Sequence, residues 1–175
     1  MNGQKRLSKV ASSTPKMAKA LPGLPMDGTM MMRLIRISGA GVSDFFDPVF
    51  RAMDLSEHSF HALCLLVANE TGTAAPSELS DMIGTSRSNM TRLIQELEQG
   101  GWVERSVAPR DARRQVISIT NLGREKVRDT VPQIAEPIQQ AFSDLSTKEF
   151  ALLERLLRKL IVSLDRGAER SSAAS

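Results

Sequence analysis

Apolar residues recur at a helical spacing through most of the chain, and they alternate with polar residues in only one short region. The helical spacing predicts six helices, at residues 28–53, 56–72, 76–83, 87–99, 122–142 and 147–165. Pro132 and Pro137 should bend or split the fifth helix, because proline lacks the N–H that the helix needs. Ser146 and Glu149 fit the capping box that starts a helix, and they predict the start of the sixth. The chain is therefore expected to be mainly helical.

A short helix, a tight turn and a longer helix follow one another at residues 76–99. Pro76 suits the first turn of a helix, Gly84 allows the tight turn, and Ser86 is a favourable N-cap. One stripe of the longer helix is apolar and consists of Met90, Leu93, Ile94 and Leu97. The outward face, opposite this stripe, carries hydrogen-bonding groups and one cation, and it has no carboxylate near its start. Its residues are Ser88, Arg92, Gln95 and Gln99, with Asn89 and Thr91 on the flanks. This composition suits a helix that enters the major groove of DNA, although a plain solvated surface has the same pattern.

Two runs of strand-forming residues, at 102–107 and 115–120, flank a polar loop and predict a β-hairpin. The cations of this hairpin are Arg105, Arg110, Arg113 and Arg114. Guanidinium groups on a thin projecting hairpin can reach phosphates or enter a narrow minor groove. Asp111 is the anion of the loop, and we interpret it as a brace that orients a neighbouring arginine. With the two helices before it, the hairpin predicts a winged helix-turn-helix, and double-stranded DNA as its partner.

Composition agrees with a single protein domain that lacks a catalytic site. The chain has 175 residues, a formal net charge of +3 and a pI near 9.3, which is a mild indication of a polyanionic partner. Its single cysteine, Cys64, excludes an intrachain disulfide and favours a reducing cytoplasm. No apolar run is long enough to span a bilayer, and no export signal begins the chain. Because no nucleophile elbow or glycine-rich phosphate loop is present, we expect neither enzymatic activity nor a cofactor.

The two ends of the chain are expected to be unstructured. Residues 1–27 hold no acidic residue before Asp27, and we predict a disordered basic arm there. The cations of this arm are Lys5, Arg6, Lys9, Lys16 and Lys19. The arm could touch DNA phosphates, and a solvated tail without a specific role fits the pattern equally well. Residues 166–175 are small and polar, and they predict a flexible tail.

Five segments together resemble the MarR family of transcriptional regulators, and most closely its multidrug-efflux repressors. They are residues 76–80 (PSELS), 86–94 (SRSNMTRLI), 101–105 (GWVER), 111–114 (DARR) and 119–123 (ITNLG). The resemblance covers roughly residues 30–165 and implies a winged helix-turn-helix at residues 56–120. It also implies a helical dimerisation region formed by residues 28–55 and 121–165. The fold class is therefore mainly α with a small β-hairpin wing.

The resemblance further implies a homodimer whose two recognition helices enter successive major grooves of a pseudo-palindromic operator. Arg113 would then be the wing residue that enters the minor groove. The candidate DNA-binding residues are Ser86, Arg87, Ser88, Asn89, Thr91, Arg92, Gln95, Arg110, Asp111, Arg113 and Arg114. By the same resemblance, the protein is expected to repress efflux or detoxification genes.

Members of this family commonly bind small lipophilic or phenolic inducers between the dimerisation and DNA-binding regions. The candidate residues for such a pocket are Phe45, Phe46, Met53 and Phe60. Ordinary packing in the core explains the same residues, because apolar stripes at helical spacing are usually buried.

A metal- or thiol-responsive regulator of the same fold is the alternative function. His58, His61 and Cys64 share one flank of the second predicted helix, and histidine and cysteine are zinc ligands. Residues six positions apart on a helix are separated by about 9 Å in rise alone, too far for one metal. We therefore expect no metal site. Cys64 lies among leucines without a neighbouring cation, which should leave its thiol inert.

Overall fold

The computed structural model describes residues 3–108 and 111–173, apart from the side chains of residues 108, 111–113 and 168–173. The elements run α1 (Gly3–Ala20), α2 (Met26–Arg51), α3 (Glu57–Ala68), β1 (Thr73–Ala74), α4 (Pro76–Ile83), α5 (Arg87–Gln99), β2 (Val103–Ala108), β3 (Asp111–Ile119), α6 (Asn121–Ala141) and α7 (Thr147–Ala173). The chain divides into two compact units, Met1–Ile134 and Ala135–Ser175. None of the helices in the described ranges has the length and apolar composition needed to cross a bilayer.

One hydrophobic core holds the first unit together. The apolar stripe of α5 packs into it with the inner residues of α3, α4 and the sheet. Its fully buried large side chains include Leu63, Leu66, Leu79, Met90, Ile94, Leu97 and Ile117. Phe46 and Phe50 of α2 belong to the same core, and the rings of Phe50 and Phe60 lie 5.5 Å apart. The domain boundary expected at residues 55 and 56 therefore does not separate two cores.

The sheet has three antiparallel strands in the order β1-β3-β2. The predicted hairpin is present, and Val103 pairs with Ile119 at its base. β1 was not expected, because two residues are too few to show a strand pattern. It pairs Thr73 with Ser118 and thereby ties the start of α4 to the hairpin.

Two predicted helix starts are formed by side-chain caps. The Ser56 hydroxyl accepts a hydrogen bond from the Ser59 N–H at 3.0 Å. The Ser146 N–H donates to the Glu149 carboxylate at 2.9 Å, and the Glu149 N–H donates back to the Ser146 hydroxyl. The hydrogen bonds from Ser146 lower the pKa of the Glu149 carboxyl. Each reciprocal bond satisfies a backbone donor that the first turn leaves free.

The expectation of a disordered arm at residues 1–27 is wrong for most of that segment, because α1 is a helix packed along α2. Val10 and Thr14 are buried one turn apart, and the Arg33 guanidinium donates to the Thr14 hydroxyl at 2.7 Å. Arg6 forms an ion pair with Asp44, so α1 and α2 run antiparallel. The prediction from composition failed because a short helix is stabilised mainly by tertiary packing, and the local sequence gives no information about that packing.

Two further details differ from expectation. α6 is one continuous helix and is not split at Pro132 or Pro137. The backbone of α7 stays helical to Ala173, so the predicted flexible tail at residues 166–175 is wrong over most of its length.

The packing of α1 on α2 can be tested by Val10→Asp. A buried carboxylate without a partner is costly, so this change should detach and unfold α1 and make the peptide bonds that follow its lysines accessible to protease. We expect trypsin to cleave at Lys16 roughly tenfold faster than in the unsubstituted protein. Ala11→Asp places the same group on the exposed neighbour and should leave the cleavage rate nearly unchanged. Equal cleavage rates in the two variants would contradict the packing.

Candidate nucleic-acid interface

The turn between α4 and α5 is closed by backbone and side-chain hydrogen bonds. Gly84 has φ +73°, a left-handed conformation that side chains disfavour, and its N–H donates to the Ser80 carbonyl at 3.0 Å. The Ser80 hydroxyl donates to the Thr85 carbonyl at 2.7 Å. This closed turn holds α5 at a defined angle to α4.

α5 begins at a side-chain cap and buries one face. The Ser86 hydroxyl accepts from the Asn89 N–H at 3.2 Å, which confirms Ser86 as the predicted N-cap. The buried residues of the helix are the predicted Met90, Leu93, Ile94 and Leu97. The predicted outward residues are all exposed: Ser86, Arg87, Ser88, Asn89, Thr91, Arg92, Gln95 and Gln99. The first turn has no carboxylate, so its free N–H groups and arginine present a positive end to solvent.

Two of the exposed polar side chains on α5 make bonds within the helix. The Arg92 guanidinium lies 3.2 Å from the Glu96 carboxylate, and both groups are largely exposed. The Thr91 hydroxyl donates to the Arg87 carbonyl at 3.0 Å. Exposed pairs of this kind contribute little to stability, so Arg92 can exchange Glu96 for another anion at low cost.

The arginines of the hairpin do not share one environment. Arg114 is exposed. Arg105 is turned toward the body of the unit and forms an ion pair with Glu98 of α5 at 2.8 Å, so it does not belong to the basic tip. Arg110 and the side chains of Asp111 and Arg113 lie outside the described residues, and their predicted roles remain predictions.

A crevice of about 450 Å³ lies where the start of α4, the outer side of α5 and β3 meet. It is lined by Ala75, Pro76, Ser77, Arg87, Met90, Thr91, Arg114 and Gln115. Two guanidinium groups that are distant in the sequence therefore border one opening. The sequence pattern did not indicate Ser77 or Gln115, because neither belongs to a periodic face. Their position is a consequence of the β1–β3 pairing.

The four candidate pocket residues do not form one environment. Phe46, Met53 and Phe60 are buried members of the core, as in the alternative explanation of ordinary packing. Phe45 is 44% exposed, and its ring lies edge-on to Phe46 at 5.0 Å.

The residues of the alternative sensing function are also separated. His58 and His61 are exposed, whereas Cys64 is half-buried against the core. Within the described part of the chain, no three His, Cys, Asp or Glu side chains are grouped so that they could hold a metal ion. Burial raises the pKa of the Cys64 thiol, which disfavours the reactive thiolate.

Comparison with known proteins identifies the winged region. The model of the MarR family matches residues 55–115, which run from the start of α3 into the hairpin. The transcriptional repressor MprA of Escherichia coli K12 is 34% identical over 141 residues, which cover 81% of this chain and 80% of that protein. The chain belongs to the MarR family of transcriptional regulators.

Solved structures of MarR-family proteins share the fold. Sco3205, a MarR family transcriptional regulator from Streptomyces coelicolor solved in complex with DNA, matches with a TM-score of 0.74 and 23% identity. The match covers 82% of this chain and 91% of that one. The C80S mutant of MarR from Escherichia coli, solved with operator DNA, matches with a TM-score of 0.69 and 23% identity over 82% and 96% of the two chains. The winged helix-turn-helix that the sequence predicts is thus the fold of this MarR-family chain.

The N-cap of α5 can be tested by Ser86→Ala. The change removes the acceptor of the Asn89 N–H, and we expect the free energy of unfolding in urea to fall by about 1 kcal/mol. Ser88→Ala, on the exposed side of the same helix, should change it by no more than about 0.5 kcal/mol. Equal losses in the two variants would contradict a specific role for the cap.

Proposed function

We propose that this MarR-family protein is a homodimeric, sequence-specific DNA-binding repressor, without enzymatic activity, that a small ligand releases from DNA. The observation that carries the proposal is the surface built by α4, α5 and β3. It presents the exposed polar side of α5 and the crevice bordered by Arg87 and Arg114.

The chemistry of α5 suits direct contact with bases. Asn89, Arg92 and Gln95 offer amide and guanidinium groups, which form bidentate hydrogen bonds with adenine or guanine in the major groove. Ser86, Arg87, Ser88 and Thr91 near the start of the helix suit phosphates, because free N–H groups and the helix dipole favour anions there. α5 thereby supplies both the specificity and the register of binding.

The arginines around the crevice and on the wing suit the DNA backbone and the minor groove. Arg87 and Arg114 border one opening, so a single phosphate could bond to both. We assign Arg113 to the minor groove and Arg110 to phosphates, with Asp111 as the brace. These wing assignments rest on the resemblance to MarR-family wings.

The exposed apolar faces of two helices support a dimer. On α2, Met31, Ile35 and Val42 are exposed on one face. On α7, the exposed apolar stripe is Phe150, Leu153, Leu157, Ile161 and Leu164. Continuous apolar stripes in water are unfavourable, and a second copy is the occupant that the symmetry of a palindromic operator requires.

The most specific part of the proposal concerns the ligand and the regulated genes. A lipophilic or phenolic ligand would release the repressor by preferring a spacing of the recognition helices that does not match DNA. Efflux or detoxification genes are the proposed targets, because the sequence resembles the multidrug-efflux repressors. The repressor role is further supported by the similarity to the transcriptional repressor MprA.

DNA binding is tested by titrating labelled operator DNA with the protein at several salt concentrations. Arg113→Ala should weaken binding to every sequence and reduce the dependence of the affinity on salt, because it removes a cation that enters the minor groove. Asn89→Ala should instead weaken binding to the operator by about 1–3 kcal/mol and leave the affinity for non-specific DNA nearly unchanged.

Arg158→Ala, which removes an exposed cation of α7, is the matched control. It should change neither the affinity nor the salt slope. The division of roles would be refuted if Arg113→Ala and Asn89→Ala reduced the affinity for all sequences by the same amount. Weak binding without sequence preference in the unsubstituted protein would refute the proposed function.

The dimer is tested by Leu157→Asp on the apolar stripe of α7. A carboxylate there would have to be buried between the two copies, so the variant should sediment as a monomer at micromolar concentration. Lys159→Asp places the same residue on the opposite side of the helix and should remain dimeric. A dimeric Leu157→Asp variant would exclude this stripe from the interface.

A further inference from the structure

The β2–β3 hairpin leaves the body of the first unit at the level of Arg105. Arg105 pairs with Ile117, which is fully buried, whereas Ser106 and Val107 beyond it are exposed. The core therefore supports the hairpin up to this level and not further. An isolated two-stranded hairpin is marginally stable, so its outer half depends on what holds its base.

The base of the hairpin is held by the ion pair between Arg105 and Glu98. The nearest guanidinium nitrogen and carboxylate oxygen are 2.8 Å apart, and the side chains are 27% and 32% exposed. The i,i+4 pair of Arg92 and Glu96 is 74% and 47% exposed. Nε of Arg105 is buried and has no hydrogen-bond partner among the residues that the structure describes, so Glu98 supplies the stabilisation that this partly desolvated cation requires.

Glu98 lies in the last turn of α5, and Arg105 lies on β2. Their ion pair therefore joins the helix proposed to read bases to β2, and the paired strand β3 carries the proposed minor-groove residue Arg113. Between them, the chain turns sharply at Gly101, which has φ +70°. The backbone bond from the Trp102 N–H to the Leu97 carbonyl secures the inner side of this turn.

We propose that the Glu98–Arg105 ion pair positions the wing, by setting the distance and angle between the outer side of α5 and strands β2 and β3. The proposal rests on the proposed DNA-binding function and adds two residues to it that do not touch DNA. Two contact elements can engage one duplex together only if their separation is held closely, and loss of the pair would make the wing contact less frequent.

The sign of the effect of Glu98 separates this role from simple electrostatics. Glu98→Ala removes a negative charge near a polyanion, and Coulomb attraction alone predicts tighter binding. A positioning role predicts weaker binding, by roughly tenfold, because the wing loses its orientation. Glu98→Gln also removes the charge but keeps an acceptor for Arg105, so it should weaken binding by less than Glu98→Ala.

The decisive experiment is a double-mutant cycle with the wing residue. Operator affinity is measured for the unsubstituted protein, Glu98→Ala, Arg113→Ala and the double variant, with thermal unfolding of each variant recorded in parallel. In the Arg113→Ala background, Glu98→Ala should change the affinity by less than about twofold, because its effect passes through the wing. Glu154→Ala, which breaks an exposed 2.8 Å pair on α7, should leave the affinity unchanged.

Three results would overturn the proposal. The first is operator binding by Glu98→Ala that is tighter than, or equal to, that of the unsubstituted protein. The second is an equal loss of affinity on Glu98→Ala in the presence and absence of Arg113. The third is a Glu98→Ala variant with a lower unfolding temperature and normal operator affinity. If Arg113→Ala itself has no effect, the wing assignment in the proposed function fails. Weaker binding by Glu98→Ala would then have to arise without the wing, which also overturns the positioning role.

Discussion

The burial of one face of α5 is the interaction on which the rest of the structure depends. Four apolar side chains of this helix lie in the core, against α3, α4 and the base of the sheet. Each large side chain buried there contributes about 2 kcal/mol from the hydrophobic effect, and rotation of the helix about its axis would lose several of these contributions together. Because the inner face is determined in this way, the outer face is determined too. Its polar groups therefore face solvent, and no side chain of another element is needed to hold them there.

The elements around α5 then restrict its remaining freedom. The closed turn at Gly84 sets its angle to α4, and the cap at Ser86 determines where its positive end begins. β1 joins the start of α4 to β3, so that Arg114 comes to border the same crevice as Arg87. Glu98 joins the other end of the helix to β2. In the proposed DNA-binding surface, the hairpin is thus connected to the start of α4 through β1 and to the last turn of α5 through Glu98.

The helices outside the winged region show why this chain is proposed to form a homodimer. α1 covers one side of α2, where Arg33 contacts Thr14 and Asp44 contacts Arg6. The exposed apolar side chains of α2 remain uncovered by that packing, and α7 has an exposed stripe of its own. Apolar stripes of this length are typical of subunit interfaces, and a two-fold dimer would present two copies of the α5 surface to one duplex.

The sequence by itself determined the features that depend on neighbouring residues. The bounds of α4 and α5, the caps at Ser56, Ser86 and Ser146, and the hairpin all follow from local periodicity and from which side chain can satisfy a free N–H. Only the tertiary structure decided the rest. The basic segment forms α1 because it packs on α2, and Phe46 and Phe60 are buried in the core. Arg105 forms an ion pair with Glu98 and so does not belong to the basic tip. These outcomes depend on contacts between distant or oppositely facing residues, and a periodic pattern carries no information about the partner that such a residue will meet.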